Sequence, residues 1–360
     1  MSARHNNRRG LSRREFLGLS AGLGAGAGSA WLLGACAPAA PAATPTAAAN
    51  LMAETKHLIN GTYNPNWANN VLVELADAQG WFKEEGIESR EIVIIDQGQI
   101  IPALIGGSLM TAQQDTDAIA AANLAGEPVF FISTYRDKEP WIFGVAKGIN
   151  SAEDLKGKQV SGGQLGSRNE NNGKEMLRRL GLDPEKDVEW VPVGGGSDGR
   201  VQGVIGGVIA GTVMQDRHMK LIEDAGGKIL YNERESVPQD CYCAHRSWLD
   251  KNERTAIGFI KATFKAREYV LDLSRKDEII EFMKSRGYEF PEAFVLGYED
   301  LLAIMSPTGT FTVDTMVKLI QDAVKAGTLE KEVDWHTFVD LKYQNQAFKE
   351  LGRDDLVMNV

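Results

Sequence analysis

Short apolar runs alternate with amphipathic segments through the middle of the chain. Apolar residues in a short run or at every second position indicate a strand, whereas apolar residues every three or four positions indicate a helix. The first part of the sequence predicts strands at 56–61, 91–96, 109–112 and 129–134. The segments between them predict helices at 69–79, 99–105 and 115–125. Strands that alternate with helices in this way indicate parallel α/β layers.

The same alternation begins again after residue 147. A capping box from Ser151 to Asp154 predicts a short helix there. Further strands are predicted at 158–161, 189–192, 210–214 and 229–231, with helices at 170–180, 199–205 and 217–225. From residue 253 the pattern is helical, at 257–274, 276–286, 300–304, 313–326 and 335–338. The sequence therefore predicts two α/β lobes in series, followed by a helical region.

The long helical region indicates that the chain returns from the second lobe to pack on the first. We expect lobe 1 to begin with residues 56–145, lobe 2 to comprise residues 146–242, and residues 243–360 to form the return to lobe 1 and the C-terminal helices. The chain would then cross between lobes twice, near 144–148 and near 238–245. Two crossings form a hinge, which allows two lobes to close on a ligand.

The N-terminal segment carries two export signals in the correct order. Residues 12–17, Ser-Arg-Arg-Glu-Phe-Leu, form a twin-arginine signal, and residues 33–36, Leu-Gly-Ala-Cys, resemble a lipobox. The sequence thus predicts a signal peptide over residues 1–35, lipidation of Cys36, and an Ala/Pro-rich flexible tether over residues 36–55. The alternative is a retained span at 16–35, but its six glycines make that segment weakly hydrophobic. We expect an extracytoplasmic protein that is lipid-anchored to the cell membrane.

The charge balance excludes one class of partner. The chain has 39 basic and 49 acidic residues, and cleavage after residue 35 would remove five arginines and one glutamate. Such an acidic protein is a poor ligand for nucleic acid. We expect no nucleic-acid partner, and we expect a monomer.

The cysteines do not predict a disulfide framework. Besides Cys36 the chain has only Cys241 and Cys243, which alternate with His245 and would share one face of a strand. The three residues could hold a soft metal. Small thiols that fill a buried strand are the simpler interpretation, so we expect no metal and no cofactor.

Several phrases resemble a known family when they are taken in order. They are LADAQGWFKEEGI (75–87), ALIGGSLM (103–110), LAGEPV (124–129), INSAEDLKGKQV (149–160), LRRLGLDPEKDVEWVPVG (177–194) and IGFIKATFKAREYVLD (257–272). Together they resemble the solute-binding proteins of ABC importers in the nitrate, sulfonate, taurine and thiamine-precursor group, which includes pyrimidine and riboflavin binders. The resemblance covers residues 57 to 345.

The resemblance implies a type II periplasmic-binding-protein fold with two α/β lobes and two crossover strands. It also implies capture of a small molecule and its delivery to an ABC permease that is driven by a separate ATPase. The chain has no Gly-x-x-x-x-Gly-Lys-Ser/Thr motif, so ATP hydrolysis is expected elsewhere. The family also resembles fungal thiamine-pyrimidine synthases, but their cysteine-rich motif is not reproduced around Cys241 and Cys243. We therefore expect no enzyme activity.

Ligands of α/β sheets bind beyond the carboxyl ends of the strands, where loops lead into helices. Four such loops and one aromatic residue before the first crossing supply candidate ligand-binding residues. They are Tyr63, Asn64, Asn66, Trp67, Gln114, Asp115, Thr116, Trp141, Ser167, Arg168, Asn169, Gln215 and Asp216.

Several candidates have a structural alternative. Trp67 could pack on the following helix, and Trp141 could pack at the hinge. Asp115 or Thr116 could serve as a helix N-cap. Arg168 could be a solvated charge at the rim.

Two ligand classes fit these loops. Aromatic rings and neutral hydrogen-bonding groups favour a planar nutrient such as riboflavin or a thiamine-related heterocycle. Thiamine-precursor binders have an Asn-Trp pair at the end of the first strand, whereas here Gly61 follows Asn60, and Gln215 resembles the position of their glutamate. The alternative is an anion such as an alkanesulfonate, taurine, nitrate or a carboxylate. An anion requires a deeply placed cation, for which Arg168, Arg200 and Arg217 are the candidates.

Overall fold

The computed structural model describes residues 52–290 and 297–359, apart from the side chains of residues 140, 141, 168 and 300. The predicted signal peptide, the lipidation site at Cys36 and most of the tether lie outside the described residues.

Eight strands and thirteen α-helices make up the described part of the chain. The strands are β1 His57–Thr62, β2 Ser89–Ile94, β3 Thr111–Asp115, β4 Val129–Val145, β5 Lys158–Ser161, β6 Val188–Trp190, β7 Gly211–Met214 and β8 Lys228–His245. The helices are α1 Trp67–Ala78, α2 Trp81–Glu84, α3 Gln97–Ile105, α4 Thr116–Leu124, α5 Arg168–Arg179, α6 Gly196–Ile205, α7 Met219–Asp224, α8 Arg246–Leu249, α9 Glu253–Leu271, α10 Lys276–Ser285, α11 Tyr298–Ile304, α12 Val313–Ala326 and α13 Lys342–Glu350. Short 3-10 turns occur at Ala152–Leu155, Asp216–His218, Leu273–Arg275, Trp335–Thr337 and Asp354–Leu356. The predicted helix at 335–338 is thus only a 3-10 turn.

The strands form one sheet in the order β2-β1-β3-β8-β4-β7-β5-β6. Within lobe 1, β1 pairs in parallel with β2 and β3, and within lobe 2, β5 pairs in parallel with β6 and β7. Strands β3 and β7 pair antiparallel with β8 and β4, respectively. From its outer edge inward, lobe 1 has the order β2-β1-β3 and lobe 2 has the order β6-β5-β7. In each lobe the first strand thus lies between the second and the third.

Strands β4 and β8, which we call the crossing strands, join the two lobes. They pair antiparallel from Val129 opposite His245 to Val145 opposite Lys228, with several register shifts. The sequence predicted only their ends, at 129–134 and 229–231. The middle segments contain charged and polar residues, some of them buried, such as Gln239 and Asp240, so they do not show the apolar alternation that predicts a strand. Strand β8 pairs with β3 of lobe 1 as far as Asp240, and β4 pairs with β7 of lobe 2 from Ile142 onward, so the sheet passes from one lobe to the other between these positions.

The C-terminal helices pack on lobe 1, as the sequence predicted. Helix α9 packs against α1 and α2, where the rings of Phe82 and Phe259 stack with centroids 6.0 Å apart. On the opposite face of the lobe 1 sheet, α12 and the turn at Trp335 pack on α3 and α4. Lobe 2 has its own apolar clusters on both sides of its strands. Each lobe is thus a sheet covered by helices on both faces.

None of the helices in the described part of the chain combines the length and the apolar character that a membrane span requires.

Candidate functional site

A cleft of about 380 Å³ lies where the crossing strands pass from one lobe to the other. Polar side chains dominate its wall. Lobe 1 contributes Tyr63, Gln97 and Asp115; the crossing strands contribute Arg136, Lys138, Glu139, Gln239 and Asp240; lobe 2 contributes Ser167, Asn169, Asn172, Ser197, Arg200, Val213, Met214 and Gln215. Many of these residues follow a strand or begin a helix, which is the usual location of ligands in α/β folds.

The lobe 1 side of the cleft combines an aromatic ring with a carboxylate. Tyr63 is half-buried in the loop after β1, and its hydroxyl donates to Oδ1 of Asp115 across 3.1 Å. Asp115 ends β3, and Gln97 begins α3 beside it. Gln97 donates from Nε2 to Oε1 of Gln114 across 3.1 Å. This side therefore offers a ring face, a carboxylate and an amide to a ligand.

The hinge side of the cleft carries charges that neutralise each other. Arg136 of β4 lies opposite Asp240 of β8 in the sheet, and the two side chains form an ion pair. The Asp240 side chain is 2% exposed, so its negative charge is stabilised mainly by the guanidinium of Arg136 rather than by solvent. Nη2 of Arg136 also lies 3.5 Å from the Tyr63 hydroxyl. The ion pair thus connects the hinge to the lobe 1 side of the site.

In lobe 2 the segment 162–167 brings the start of α5 to the cleft. Ser167 is the N-cap of this helix, and its Oγ accepts from the backbone N–H of Glu170 across 3.3 Å. A Cβ on Gly162 would lie 2.2 Å from the Cα of Glu170. Only glycine allows the loop and the helix to approach this closely. The first turn of α5 therefore lies at the cleft, where Ser167 and Asn169 form part of the wall.

Arg200 of α6 is the most deeply buried cation of the cleft, with 4% of its surface exposed. Its Nη2 donates to the carbonyl oxygen of Val213 across 3.1 Å, and its Nε donates to Oγ1 of Thr212 across 3.2 Å. It forms no ion pair with a carboxylate of the described residues, and burial lowers the pKa of its guanidinium. A buried cation of this kind is stabilised by any anion that binds beside it.

Five of the residues predicted from the sequence line the cleft. They are Tyr63, Asp115, Ser167, Asn169 and Gln215. They come from both lobes, so the loops chosen from the sequence do meet at one place.

Trp67 does not line the cleft. It is 1% exposed, and its ring stacks on Phe290 and Tyr298 with centroids 5.2 Å and 6.0 Å away. Its position at the start of α1 turns the side chain into the lobe 1 core. We therefore leave it out of the proposed site.

Five further candidates have structural roles. Asn66 is the N-cap of α1, and Oδ1 of Asn64 accepts from the backbone N–H of Asn66. Gln114 and Thr116 are buried, with 2% and 0% of their surfaces exposed. Asp216 forms an ion pair with an arginine of β8. Because these groups are committed within the protein, we do not include them in the proposed site. The side chains of the last two candidates, Trp141 and Arg168, lie outside the described residues.

The sequence did not single out most of the hinge residues of the cleft. Arg136, Lys138 and Glu139 follow the predicted strand at 129–134, whereas Gln239 and Asp240 lie in the predicted crossing at 238–245. Their charge was the available signal, but a charged segment usually indicates a solvated loop. Gln97, Asn172 and Ser197 were also missed, because nothing in their local sequence distinguishes them from surface residues.

Cys241 and Cys243 lie on β8 within the sheet, and both are fully buried. Their Sγ atoms donate to the backbone carbonyl oxygens of Gln114 and Ala112 across 3.5 Å and 3.4 Å. Burial raises the pKa of the Cys241 thiol. Both side chains are therefore packed between β8 and its neighbouring strands, where they are fully buried.

Comparison with known sequences identifies a family. The family model described as "NMT1/THI5 like" matches residues 67–273. The protein of Bacillus subtilis (strain 168) described as "Putative binding protein YtlA" is 25% identical over 215 residues. That alignment covers 56% of this chain and 63% of the relative, so it spans less than two thirds of the relative's length.

Solved structures share the fold. The periplasmic nitrate-binding protein NrtA of Synechocystis PCC 6803 matches with a TM-score of 0.63 and 12% identity, over 86% of this chain and 92% of that one. The periplasmic aliphatic sulphonate binding protein SsuA of Escherichia coli matches with a TM-score of 0.59 and 18% identity, over 79% and 92%. The desulfurization enzyme DSZB matches with 0.55 and 12%, over 82% and 99%. The predicted type II periplasmic-binding-protein fold is confirmed.

Proposed function

The chain belongs to the NMT1/THI5-like family, and on this premise we propose that it is the extracytoplasmic solute-binding component of an ABC importer. Its two-lobed fold and a polar cleft between the lobes support this role. A volume of about 380 Å³ suits a small molecule. In this proposal the open protein binds the solute on one lobe, and closure of the hinge adds contacts from the other lobe.

We further propose that the solute carries an anionic group, which binds at Arg200. The observation that carries this proposal is the burial of this guanidinium at the cleft without an ion pair among the described residues. Ser197 and Ser167 line the cleft beside it and offer hydroxyl donors. The first turns of α5 and α6 add oriented backbone N–H groups, which also favour an anion. A sulfonate, a nitrate or a carboxylate matches this set of donors.

A planar, uncharged nutrient is the second candidate. The ring of Tyr63 on the lobe 1 side supports it, because an aromatic ligand could stack there. Gln215, Gln97 and Asn169 supply amides that both donate and accept hydrogen bonds, which suits the edge of a flavin or a pyrimidine. The burial of Trp67 removes the other described ring that favoured this class.

We propose a binding protein rather than an enzyme, although the fold also occurs in the enzyme DSZB. No histidine or cysteine is found among the described residues that line the cleft. Histidine is the commonest general acid or base, and cysteine is a strong nucleophile. The amides and hydroxyls of the cleft are suited to holding a solute by hydrogen bonds.

The location and the anchor are also proposals. Export by the twin-arginine signal and acylation of Cys36 would hold the protein at the outer face of the cell membrane, next to the permease. Metabolic labelling with a radioactive fatty acid tests the anchor directly. Label should enter the wild-type chain and be absent from the C36A variant, and label retained by that variant would rule out this site.

A ligand panel tests the function. The protein is unfolded and refolded to remove any bound solute, and its melting temperature is measured with nitrate, methanesulfonate, taurine, succinate, riboflavin and thiamine. A ligand at one hundred times its Kd stabilises the folded state by about 2.7 kcal/mol, which is a shift of several degrees. A shift with one of the first four compounds supports the anion site. A shift with riboflavin or thiamine alone contradicts it and favours the planar class.

A further inference from the structure

His218 is fully buried directly behind the ligand-facing surface of lobe 2. It ends the 3-10 turn Asp216–His218, which follows β7, and its exposed fraction is 0%. Gln215, which lines the cleft, immediately precedes this turn. The imidazole lies between two segments of the site: the loop after β7 and the first turn of α6.

Two hydrogen bonds define the protonation state of the ring. The backbone N–H of Gln215 donates to Nδ1 of His218 across 3.2 Å. A backbone N–H can only donate, so Nδ1 carries no proton. The proton of a neutral imidazole must then be on Nε2, which lies 2.6 Å from Oδ1 of Asp198 and donates to it. The ring is therefore neutral and joins Gln215 to Asp198.

The second hydrogen-bond partner of the ring, Asp198, belongs to the part of α6 that borders the cleft. Asp198 lies in the first turn of that helix, directly after Ser197 and two residues before Arg200. Both of these neighbours line the cleft. The neutral ring thus holds two ligand-facing segments of lobe 2 in a fixed relation to each other.

Burial and two nearby arginines oppose a second proton on His218. The N–H at Nε of Arg217 points toward Nε2 of His218 across 3.3 Å, but the 2.6 Å contact with the Asp198 carboxylate, which can only accept, keeps the ring proton on Nε2. Nη2 of the same arginine donates to Oδ1 of Asp198 across 2.9 Å. Asp198 favours the protonated ring, whereas Arg217 and Arg200 disfavour it. Burial has the largest effect and lowers the pKa of His218. Mild acid is therefore needed to protonate the ring in the folded protein.

We propose that His218 is a positioning residue of the ligand site: its neutral ring fixes Gln215 against the first turn of α6, and its protonation releases Gln215 and weakens ligand binding. This inference rests on the proposed function, because it assumes that the cleft binds the solute. If Nδ1 were protonated, its N–H would point at the backbone N–H of Gln215. Two donors cannot bond to each other, so the loop must move away.

The first experiment requires no ligand. The ring nitrogens of His218 and the amide of Gln215 are followed by NMR on the 15N-labelled protein between pH 7.5 and pH 4.5. We expect an Nε2–H tautomer at pH 7.5, and we expect the Gln215 amide signal to move with the same midpoint as the ring. An Nδ1–H tautomer, or a Gln215 amide that does not follow the titration of the ring, would overturn the proposal.

The second experiment measures affinity with two probes, methanesulfonate for the anion class and riboflavin for the planar class. Methanesulfonate does not titrate in this range, so any change in its affinity comes from the protein. We expect wild-type affinity to fall about three- to tenfold from pH 7.5 to pH 5, as is typical for the loss of one or two hydrogen bonds. The variant H218N, whose side-chain oxygen can accept from Gln215 but cannot be protonated, should lose this dependence.

A matched control separates this effect from general acid sensitivity. His336 is exposed, pairs with Asp334 and does not line the cleft, so H336N should keep the wild-type pH profile. An equal decline of affinity in wild type and H218N would overturn the proposal. If neither probe binds at pH 7.5, the affinity arm is repeated with the compound that the ligand panel identifies; if no compound of the panel binds, the proposed function fails, whereas the NMR titration still decides whether His218 holds Gln215.

Discussion

The guanidinium of Arg200 donates to the carbonyl oxygen of Val213 across 3.1 Å and is thereby held at the end of β7. Together with the bond from Nε to Oγ1 of Thr212, this contact connects α6 to the strand whose end borders the cleft. The cation is fixed before any solute arrives, so little side-chain entropy is lost on binding.

Replacement of Arg200 by methionine tests the anion site. We expect the affinity for the anion identified by the ligand panel to fall at least about 30-fold, which corresponds to about 2 kcal/mol. Isothermal titration calorimetry measures this change, and circular dichroism checks the fold. R178A is the matched control, because Arg178 is an exposed arginine of α5 outside the cleft. Equal affinities in R200M and wild type would exclude Arg200 from the site.

Replacement of Trp67 by alanine should affect stability rather than recognition. The ring is packed against Phe290 and Tyr298, so the change leaves a cavity in lobe 1. We expect the free energy of unfolding to fall by about 3–5 kcal/mol in urea denaturation. Ligand affinity of the folded fraction should stay within about twofold of wild type. A large loss of affinity with unchanged stability would return Trp67 to the ligand site.

Two glycines provide a test of close packing beside the cleft. In G162A the new Cβ would lie 2.2 Å from the backbone of Glu170, so α5 must move away from the loop. We expect a loss of about 1–3 kcal/mol in stability and weaker ligand binding. The control is G98A, because Gly98 is in α3 and has open space around its Cβ position. That change should leave affinity unchanged and stabilise the helix by up to about 1 kcal/mol. Similar behaviour of the two variants would contradict the close approach at Gly162.

A hydrogen bond between the lobes should influence closure. Asn171 of α5 donates from Nδ2 to the carbonyl oxygen of Ala326, at the end of α12, across 2.8 Å. N171A should shift the apo protein toward the open form and reduce affinity about threefold to tenfold. Small-angle X-ray scattering would show a larger radius of gyration in this variant.

The control for Asn171 is N345A. Asn345 makes the same type of bond, from Nδ2 to the carbonyl oxygen of Met358 across 2.8 Å, but entirely within the region packed on lobe 1. Its loss should lower stability without changing affinity or the radius of gyration. If both variants bind as wild type does, the bond between the lobes makes no contribution to closure.

Acid should destabilise the protein partly through Glu350. Its carboxylate lies 2.5 Å and 2.9 Å from Nη1 and Nη2 of Arg254 and 3.1 Å from Nζ of Lys261. The hydrogen bonds from Arg254 are the main reason that its pKa is lowered to about 2. A lowered pKa means that the stabilisation is present above the ordinary glutamate pKa and is lost as the pH falls from about 4.5 to about 2.

The variant E350Q measures this contribution. We expect it to lower the free energy of unfolding by about 1–3 kcal/mol at pH 7. The difference between wild type and E350Q should shrink as the pH falls through that window. E330Q, at an exposed glutamate, should show no such difference. A difference that does not change with pH would show that Glu350 acts through packing rather than through its charge.

Local sequence patterns predicted most of the strands and helices of the two lobes correctly. The capping box at Ser151 is present as expected, with the carboxylate of Asp154 accepting from the backbone N–H of Ser151 across 3.0 Å. The alternation of strands and helices gave the order of elements in both lobes. These features depend on residues within a few positions of one another, so the sequence contains the information directly.

The candidate site was predicted only in part. Tyr63, Asp115, Ser167, Asn169 and Gln215 reach the cleft because each lies beyond a strand end or at the start of a helix, which is a local feature. Trp67 occupies the same kind of position, yet its ring packs in the core. The direction of a side chain at a helix start depends on what packs against that helix. The partners of Trp67 lie more than 200 residues away in the sequence.

The sequence by itself determined the class of fold, the two α/β lobes with their helical return, and the family. Only the tertiary structure decided which residues form the site. Arg136 and Asp240 are more than 100 residues apart, and their pairing arises because two long strands cross side by side. Arg200 is distinguished by burial without an ion pair among the described residues, and burial is a property of the packed chain. Periodicity encodes which face of an element is apolar, but it does not encode which polar groups two lobes bring together.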